Sequence, residues 1–230
     1  MEKNDVTIIL VHGAWGDGSH WTKVIKELHL AGYHVRSVQN PLTSFADDIQ
    51  KTQDLVDIQE GKVLLVGHSY GGAVISAVGH DPKVAGLVYI AAFAPDNGES
   101  LGGILARREP PAGAASILPD SKGFLWIKHE KFHESFSQDL EPLDSMVLAL
   151  AQKPTHGSIF GAEAGDPAWK VKPSWYQVSD HDHMIPPVTQ IEMAERLQAK
   201  EILHLNASHA SLSSQYKEVS NFIIAAIASL

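Results

Sequence analysis

The sequence predicts an α/β fold whose centre is a doubly wound, mostly parallel sheet with helices on both faces. Short apolar runs of strand length alternate with segments of helical periodicity along most of the 230 residues. The runs are apolar throughout, as expected for parallel strands that are buried on both faces. Because the connections between these segments are short, their order favours a parallel sheet with crossover helices.

Each predicted element rests on a local pattern. The segment 21–31 carries apolar residues at the i, i+3, i+4 and i+7 positions of a helix face, and Gly32 suits its C-terminal cap. Ser44 suits the N-cap of a polar helix. In chain order we predict a strand at 6–11, a helix at 21–31, a strand at 33–38, a helix at 44–58, a strand–turn–helix unit at 62–78, strands at 84–92 and 175–179, a helix at 188–199, a strand at 201–205 and a helix at 211–230.

The strand–helix alternation stops after Pro95 and resumes near residue 168. Proline and glycine interrupt the intervening segment, so we interpret residues 96–167 as a cap insertion that lies over the sheet. Residues 1–95 and 168–230 would form the core of a single domain. The large apolar side chains of the insertion could line a substrate pocket, although most of them more simply form its own small core. They are Phe124, Trp126, Phe132, Phe136, Met146 and Phe160.

The amino-acid composition excludes some classes of binding partner and of catalytic chemistry. The formal net charge is −9 and no basic run exceeds Arg107-Arg108, so nucleic acid and membranes are poor candidate partners. The absence of cysteine excludes a disulfide and a thiol nucleophile. The longest apolar run, 84–94, is much shorter than the roughly 20 residues that span a bilayer. Because a strand follows residues 1–5 with no secretory signal before it, we expect a cytoplasmic protein.

The most informative stretch is Gly67-His68-Ser69-Tyr70-Gly71, which lies between a β-branched run and a helical pattern. Glycine two residues before and two residues after a serine is the pattern of a nucleophile elbow, a sharp turn from strand to helix. Such a turn places the central residue in an uncommon backbone conformation and brings its second neighbours together, which favours glycine at both places. We therefore predict Ser69 as a nucleophile, with the Tyr70 amide at a helix N-terminus that favours negative charge.

A serine nucleophile needs a base, and position must select one among 13 histidines. In a parallel sheet, reactive groups collect beyond the carboxyl ends of the strands. His209 follows the last predicted strand by four residues, whereas His204 lies within that strand. We therefore predict His209 as the base.

The acid that orients the base should follow the preceding strand, which gives the chain order Ser, acid, His. That loop offers Asp180 and Asp182, and we favour Asp182 because it lies deeper in the loop. His181 and His183 beside it also suggest a metal site. However, adjacent residues cannot easily direct three side chains at one ion, and no second ligand cluster supports one. We predict no metal and no cofactor.

Four motifs in this order resemble the α/β-hydrolase superfamily. More closely, they resemble its short esterase branch, which includes plant methyl-ester esterases, hydroxynitrile lyases and bacterial relatives. The motifs are His12-Gly13-Ala14-Trp15, Gly67-His68-Ser69-Tyr70-Gly71-Gly72, Asp182-His183-Met184-Ile185-Pro186-Pro187 and Ser208-His209-Ala210.

The resemblance implies an α/β-hydrolase fold with a small helical cap. It also implies Ser69 as the nucleophile, His209 as the base and Asp182 as the acid, since the family's Asp-x-x-Ile-Pro spacing fits Asp182. The oxyanion hole would be formed by the backbone N–H groups of Ala14 and Tyr70.

Two aromatic side chains flank the expected oxyanion donors. Trp15 and Tyr70 either shape the acyl pocket or simply pack around the turn, and the sequence does not separate these alternatives. We name Trp15 and His68 as candidate residues of the substrate pocket.

These features predict a serine esterase that cleaves small carboxylic esters through an acyl-enzyme, as either a monomer or a homodimer. Hydroxynitrile lyases of the branch use a Thr in the first oxyanion loop and a Lys after the catalytic His, where this chain has Gly13 and Ala210. Epoxide hydrolases and haloalkane dehalogenases carry Asp in place of Ser69. A small-molecule receptor with slow or no turnover is the alternative from another class, because such receptors can keep all three residues.

Overall fold

The structure is a computed structural model that describes residues 5–230, and a six-stranded parallel sheet forms its centre. Within these residues the strands are β1 (Val6–Val11), β2 (His34–Ser37), β3 (Lys62–His68), β4 (Val84–Ile90), β5 (Ile117–Pro119), β6 (Phe124–Ile127), β7 (Thr155–His156), β8 (Ser174–Ser179) and β9 (Ile202–Leu205). The sheet has the order β2-β1-β3-β4-β8-β9, and each neighbouring pair is parallel. The predicted doubly wound parallel sheet is confirmed.

Helices cover both faces of the sheet. They are α1 (Thr22–Leu30), α2 (Phe45–Asp57), α3 (Gly71–Val78), α4 (Leu101–Leu105), α5 (His129–Phe136), α6 (Pro142–Ala151), α7 (Ser158–Gly161), α8 (Pro187–Arg196), α9 (Ser211–Ser214) and α10 (Tyr216–Ala228). Alternate residues of β1 enter different apolar layers. Ile8 and Leu10 join side chains of α1 and α10, whereas Ile9 and Val11 join those of α2, α3 and α8. No helix within residues 5–230 is long and apolar enough to cross a membrane.

Local capping explains where two helices begin and end. The Ser44 side chain accepts the Asp47 N–H at 3.1 Å, so α2 starts as predicted. Gly32 follows α1 with a φ of 88°, a left-handed conformation that favours glycine. The single helix predicted at 211–230 is wrong, because Gln215 leaves the helical conformation between α9 and α10. The Ser211 hydroxyl bonds Gln177 of β8 at 2.8 Å, which ties α9 to the sheet.

The segment between β4 and β8 contains more than the helices that the sequence predicts. Besides α4 to α7 it forms a small antiparallel sheet of β5, β6 and β7. These strands have two to four residues each, too few for a periodic pattern to identify them. The division into a core at 1–95 and 168–230 and a cap at 96–167 stays a prediction, and residues 1–4 of it lie outside the described part.

An ion cluster holds the segment that leaves the sheet after β4. The Glu99 carboxylate accepts hydrogen bonds from Arg196 of α8 at 2.7 and 2.9 Å and from Arg107 at 2.5 Å. Arg196 also donates to the Ala94 carbonyl at 2.7 Å. Burial by itself raises the pKa of Glu99, but hydrogen bonds from Arg196, the Asp96 N–H and Arg107 together lower that pKa to about 2. The cluster is therefore a pH-dependent source of stability.

We expect Glu99→Gln to lower the free energy of unfolding by roughly 1–2 kcal/mol at pH 7. The folded pKa of about 2 lies below the ordinary value of 4.5. The stabilisation is therefore present above about pH 4.5 and is lost as the pH falls towards 2. Urea unfolding at pH 7 and pH 3 measures this, with a smaller difference between variant and wild type at pH 3.

The matched control is Glu195→Gln on α8, next to Arg196 in the sequence, because Glu195 is exposed and joins no ion pair within the described chain. Equal unfolding free energies for the two variants at pH 7 would contradict the prediction.

Candidate active site

Ser69 occupies a sharp turn between β3 and α3. Its φ is 54°, in the left-handed region that non-glycine residues rarely adopt. A Cβ at Gly67 would lie 2.6 Å from the Gly71 carbonyl oxygen, so the two flanking glycines are in direct backbone contact. The backbone therefore has the geometry of the predicted elbow, in which no side chain fits at the second neighbours of Ser69.

The loop after β1 packs directly on this turn. A Cβ at Gly13 would lie 2.6 Å from the Ser69 Cβ. Ala14 and Tyr70 line the same cavity as Ser69. Within residues 5–230, no acceptor bonds to the backbone N–H of Ala14 or of Tyr70. Two free amide donors therefore lie beside the serine, as an oxyanion hole requires.

His209 and Asp182 meet at the carboxyl end of the sheet. Asp182 follows β8, His209 follows β9, and His209 Nδ1 lies 2.6 Å from Asp182 Oδ2. Both side chains are fully buried. Because the carboxylate accepts from Nδ1, the other ring nitrogen, Nε2, is left as a proton acceptor.

The Asp182 carboxylate is fully hydrogen-bonded inside the protein. One oxygen accepts the backbone N–H groups of Met184 at 2.7 Å and Ile185 at 2.9 Å. The other accepts Gln190 Nε2 at 2.8 Å as well as His209. Sequence reasoning missed Gln190, because no local pattern marks one polar residue of α8 as the partner of a distant carboxylate.

The structure brings Asp182, not Asp180, to His209. Asp180 is instead paired with His204 at 2.8 Å on the surface, where both side chains are more than a third exposed. No group of three potential metal-ligating side chains is found among residues 5–230.

Ser69 and His209 are not joined by a hydrogen bond within the described residues. Nε2 of His209 is buried and has no hydrogen-bond partner within the described residues. A buried polar atom without a partner is uncommon in a folded protein, and a substrate or a reacting group can supply the missing contact. Hydrogen bonds between nucleophile and base commonly form or tighten only when substrate is bound.

His68 lies behind His209 and does not line the substrate cavity. Its Nε2 donates to the His209 carbonyl at 2.8 Å, and the two rings are 4.8 Å apart. Burial lowers the pKa of His68 well below its ordinary value, and His209 nearby lowers it further. The His68 side chain is fully buried and supports the backbone of the His209 loop, and a role for it in the substrate pocket stays a prediction.

An apolar cavity opens onto Ser69. It encloses about 410 Å³ of empty space, part of it open to solvent. Its lining residues are Ala14, Trp15, Ser69, Tyr70, Phe93, Leu105, Pro111, Ala114, Ile117, Phe160, Met184 and Ile185. Trp15 and Tyr70 are therefore cavity residues. Phe160 stacks on Trp15 with ring centroids 5.7 Å apart, whereas Phe132 and Phe136 are buried and Met146 is exposed.

Tyr70 is fixed by a buried carboxylate that sequence reasoning missed. Its hydroxyl donates to Asp48 Oδ2 at 2.6 Å, and the Leu42 N–H donates to the other oxygen at 2.8 Å. Burial raises the pKa of Asp48 and, more strongly, that of Tyr70. Asp48 belongs to the polar helix α2. The sequence does not distinguish its buried carboxylate from the exposed carboxylates of the same helix.

Comparison with known proteins agrees with this geometry. The model of the alpha/beta hydrolase family matches residues 8–222. The chain is similar to a carbendazim-hydrolysing esterase of Nocardioides sp. (strain SG-4G), with 32% identity over 124 residues, 48% of this chain and 51% of that protein. It therefore matches about half the length of that esterase.

Two further similarities extend over most of the chain. The alpha/beta hydrolase NvfD of Aspergillus novofumigatus (strain IBT 16806) is 27% identical over 211 residues, which cover 82% of this chain and 83% of that protein. The solved structure of a pyrethroid hydrolase from Sphingobium faniae JZ-2 superimposes with a TM-score of 0.80 at 25% identity, covering 95% of this chain and 96% of the other.

We expect Gly67→Ala to destabilise the protein by about 1–3 kcal/mol and to lower any activity of Ser69, because the added methyl group forces the turn apart. The matched control is Gly161→Ala, whose added Cβ meets nothing within 4 Å. The control should change the unfolding free energy by less than about 0.5 kcal/mol. Thermal unfolding of the two variants measures the contrast, and equal melting temperatures would contradict it.

Proposed function

The chain belongs to the alpha/beta hydrolase family, and from this premise we propose that it is a serine hydrolase of small carboxylic esters. The observation that carries the proposal is the buried Asp182–His209 pair, whose Nδ1 and Oδ2 atoms are 2.6 Å apart. His209 Nε2 has no hydrogen-bond partner among the described residues, and Ser69 occupies an elbow turn. The esterases among its relatives support the same chemistry.

In the first half of the reaction, Ser69 Oγ attacks the ester carbonyl carbon while His209 Nε2 takes its proton. The carbonyl oxygen becomes an oxyanion that accepts hydrogen bonds from the N–H groups of Ala14 and Tyr70. The bond to the alkoxy oxygen then breaks, and His209 returns the proton to the leaving alcohol. This leaves an acyl group on Ser69.

In the second half, His209 Nε2 takes a proton from water, and the hydroxide oxygen attacks the acyl carbon. The collapse of this second intermediate releases the carboxylic acid and gives the proton back to Ser69 Oγ. Loss of one oxyanion donor typically costs about 3–4 kcal/mol of barrier, so Ala14 and Tyr70 together would supply a substantial part of the rate enhancement.

Asp182 acts on His209 rather than on the substrate. Its hydrogen bond holds the imidazole in the tautomer that leaves Nε2 unprotonated, and its charge stabilises the imidazolium formed during the reaction. The hydrogen bonds that Asp182 accepts from Met184, Ile185 and Gln190 keep the carboxylate in place.

The cavity favours esters whose buried part is apolar and uncharged. No charged side chain of the described residues is among those that line it, and several walls are aromatic. A charged acyl or alcohol group would therefore lose its hydration without gaining a partner. The names of two relatives refer to carbendazim and to pyrethroids, which supports an uncharged substrate with an apolar part.

A receptor that binds without turnover is the second candidate. One relative is a salicylic acid-binding protein of Nicotiana tabacum, 31% identical over 106 residues. Lyase activity like that of hydroxynitrile lyases has less support, because Gly13 and Ala210 stand where those enzymes have Thr and Lys.

We expect Ser69→Ala to lower kcat for p-nitrophenyl butyrate by about 10⁴-fold or more, since the acyl-enzyme cannot form. Ser220→Ala is the matched control, because Ser220 is a buried serine of α10 whose hydroxyl donates to the Tyr216 carbonyl of the same helix. Binding of the ester by wild type, with turnover no faster than that of Ser69→Ala, would reject the hydrolase and favour the receptor.

We expect kcat/KM for an acyl group that ends in a carboxylate, such as the p-nitrophenyl monoester of succinic acid, to be about 100-fold lower than for the neutral butyrate ester. The apolar cavity offers the carboxylate no partner, and burying an unpaired charge is costly. Initial rates at one pH measure the ratio. Comparable values of kcat/KM for the two esters would show that this acyl group lies outside the apolar cavity.

A further inference from the structure

The loop that carries Ala14 is held by the cap segment. The backbone N–H of Trp15 donates to Thr155 Oγ1 at 3.0 Å, and the Lys153 N–H donates to the Trp15 carbonyl at 3.2 Å. The indole N–H of Trp15 donates to the Leu125 carbonyl at 3.0 Å. Every polar group of Trp15 is therefore bonded to a residue more than 100 positions away in the sequence.

The backbone conformation of Trp15 explains why these bonds matter. Its φ is 59°, a left-handed value that is unfavourable for a bulky residue. A conformation of this kind persists only when surrounding contacts hold it. Ala14 is the preceding residue, so a change in the Trp15 backbone alters the direction of the adjoining peptide groups.

Thr155 provides a side-chain contact that substitution can remove selectively. Thr155 is fully buried, as is nearly all of Trp15, so water cannot readily replace the hydroxyl as an acceptor. A buried N–H that loses its acceptor is strongly unfavourable, and the loop would move to satisfy it.

Strand β7, which contains Thr155, is also linked to Tyr70, the second residue of the proposed oxyanion hole. The His156 N–H donates to the Leu42 carbonyl at 2.9 Å, and the Leu42 N–H donates to Asp48. Asp48 in turn holds the hydroxyl of Tyr70. Strand β7 is thus connected to both sides of the oxyanion hole.

We propose that Thr155 is a positioning residue for ester hydrolysis. By accepting the Trp15 N–H, it holds the loop 12–16 in the conformation that leaves the Ala14 N–H free for the oxyanion. This rests on the proposed function, in which the Ala14 amide binds the developing negative charge. Thr155 is not among the residues that line the cavity beside Ser69, so it acts through the Trp15 loop.

Thr155→Val tests the proposal, because valine keeps the shape and strand preference of threonine but cannot accept a hydrogen bond. We expect kcat for p-nitrophenyl butyrate to fall by roughly 10- to 100-fold with KM changed by less than about threefold, since the interaction acts in the transition state. An alkyl boronic acid forms a tetrahedral adduct with the serine hydroxyl, so its affinity should fall in parallel with kcat. Thr155→Ser keeps the acceptor and should restore both values.

The matched control is Ser145→Ala, which removes a fully buried cap hydrogen bond, Ser137–Ser145 at 2.7 Å, that does not touch the loop. It should lower the melting temperature without changing kcat. An unchanged kcat in Thr155→Val, equal losses of kcat in Thr155→Val and Ser145→Ala, or no recovery in Thr155→Ser would each overturn the proposal. Wild-type turnover no faster than that of Ser69→Ala would overturn the proposed function and this proposal with it, whereas the other outcomes leave ester hydrolysis intact.

Discussion

Close backbone contact around Ser69 is the constraint on which the site depends. A Cβ at Gly71 would lie 2.4 Å from the Val11 carbonyl oxygen, and one at Gly13 would overlap the Ser69 Cβ. The end of β1, the loop after it and the start of α3 can therefore meet only where side chains are absent. Ser69 adopts a left-handed conformation at this contact, and two amides that have no acceptor within residues 5–230 lie at the same cavity. A strained turn of this kind persists only when the surrounding packing holds it.

The polar groups behind Ser69 form a buried system with few charges. Asp182 accepts four hydrogen bonds, which offset the cost of burying a carboxylate. Burial lowers the pKa of His12 and of His20 to about 4, and that of His68 well below its ordinary value. These three histidines are uncharged at neutral pH. An imidazolium formed at His209 would therefore face the Asp182 carboxylate without a competing cation from these rings.

The segment between β4 and β8 has two roles in this arrangement. Leu105, Ile117 and Phe160 form walls of the cavity, so the shape of the pocket depends on how this segment folds. Thr155 and Lys153 bond the loop beside Ser69, so the same segment also supports the backbone on which the proposed oxyanion hole depends. Ile117, which lines the cavity, and Thr155, which bonds the loop, belong to the same small antiparallel sheet, so a substitution there can affect both pocket shape and loop geometry.

The sequence by itself determined the parallel sheet, the elbow at Ser69 and the order Ser, Asp, His, because continuous apolar runs, glycine spacing and loop position are local patterns. It favoured Asp182 over Asp180 as the acid from loop position, and the tertiary structure shows that the Asp182 carboxylate is the one that reaches His209. Only the tertiary structure revealed the short strands β5 to β7, the break at Gln215 and the buried orientation of His68. It also revealed the hydrogen-bond partners of Tyr70, Asp182 and Trp15, which are Asp48, Gln190 and Thr155. These features depend on contacts between residues far apart in the chain, such as the 140 positions between Trp15 and Thr155, which no local pattern encodes.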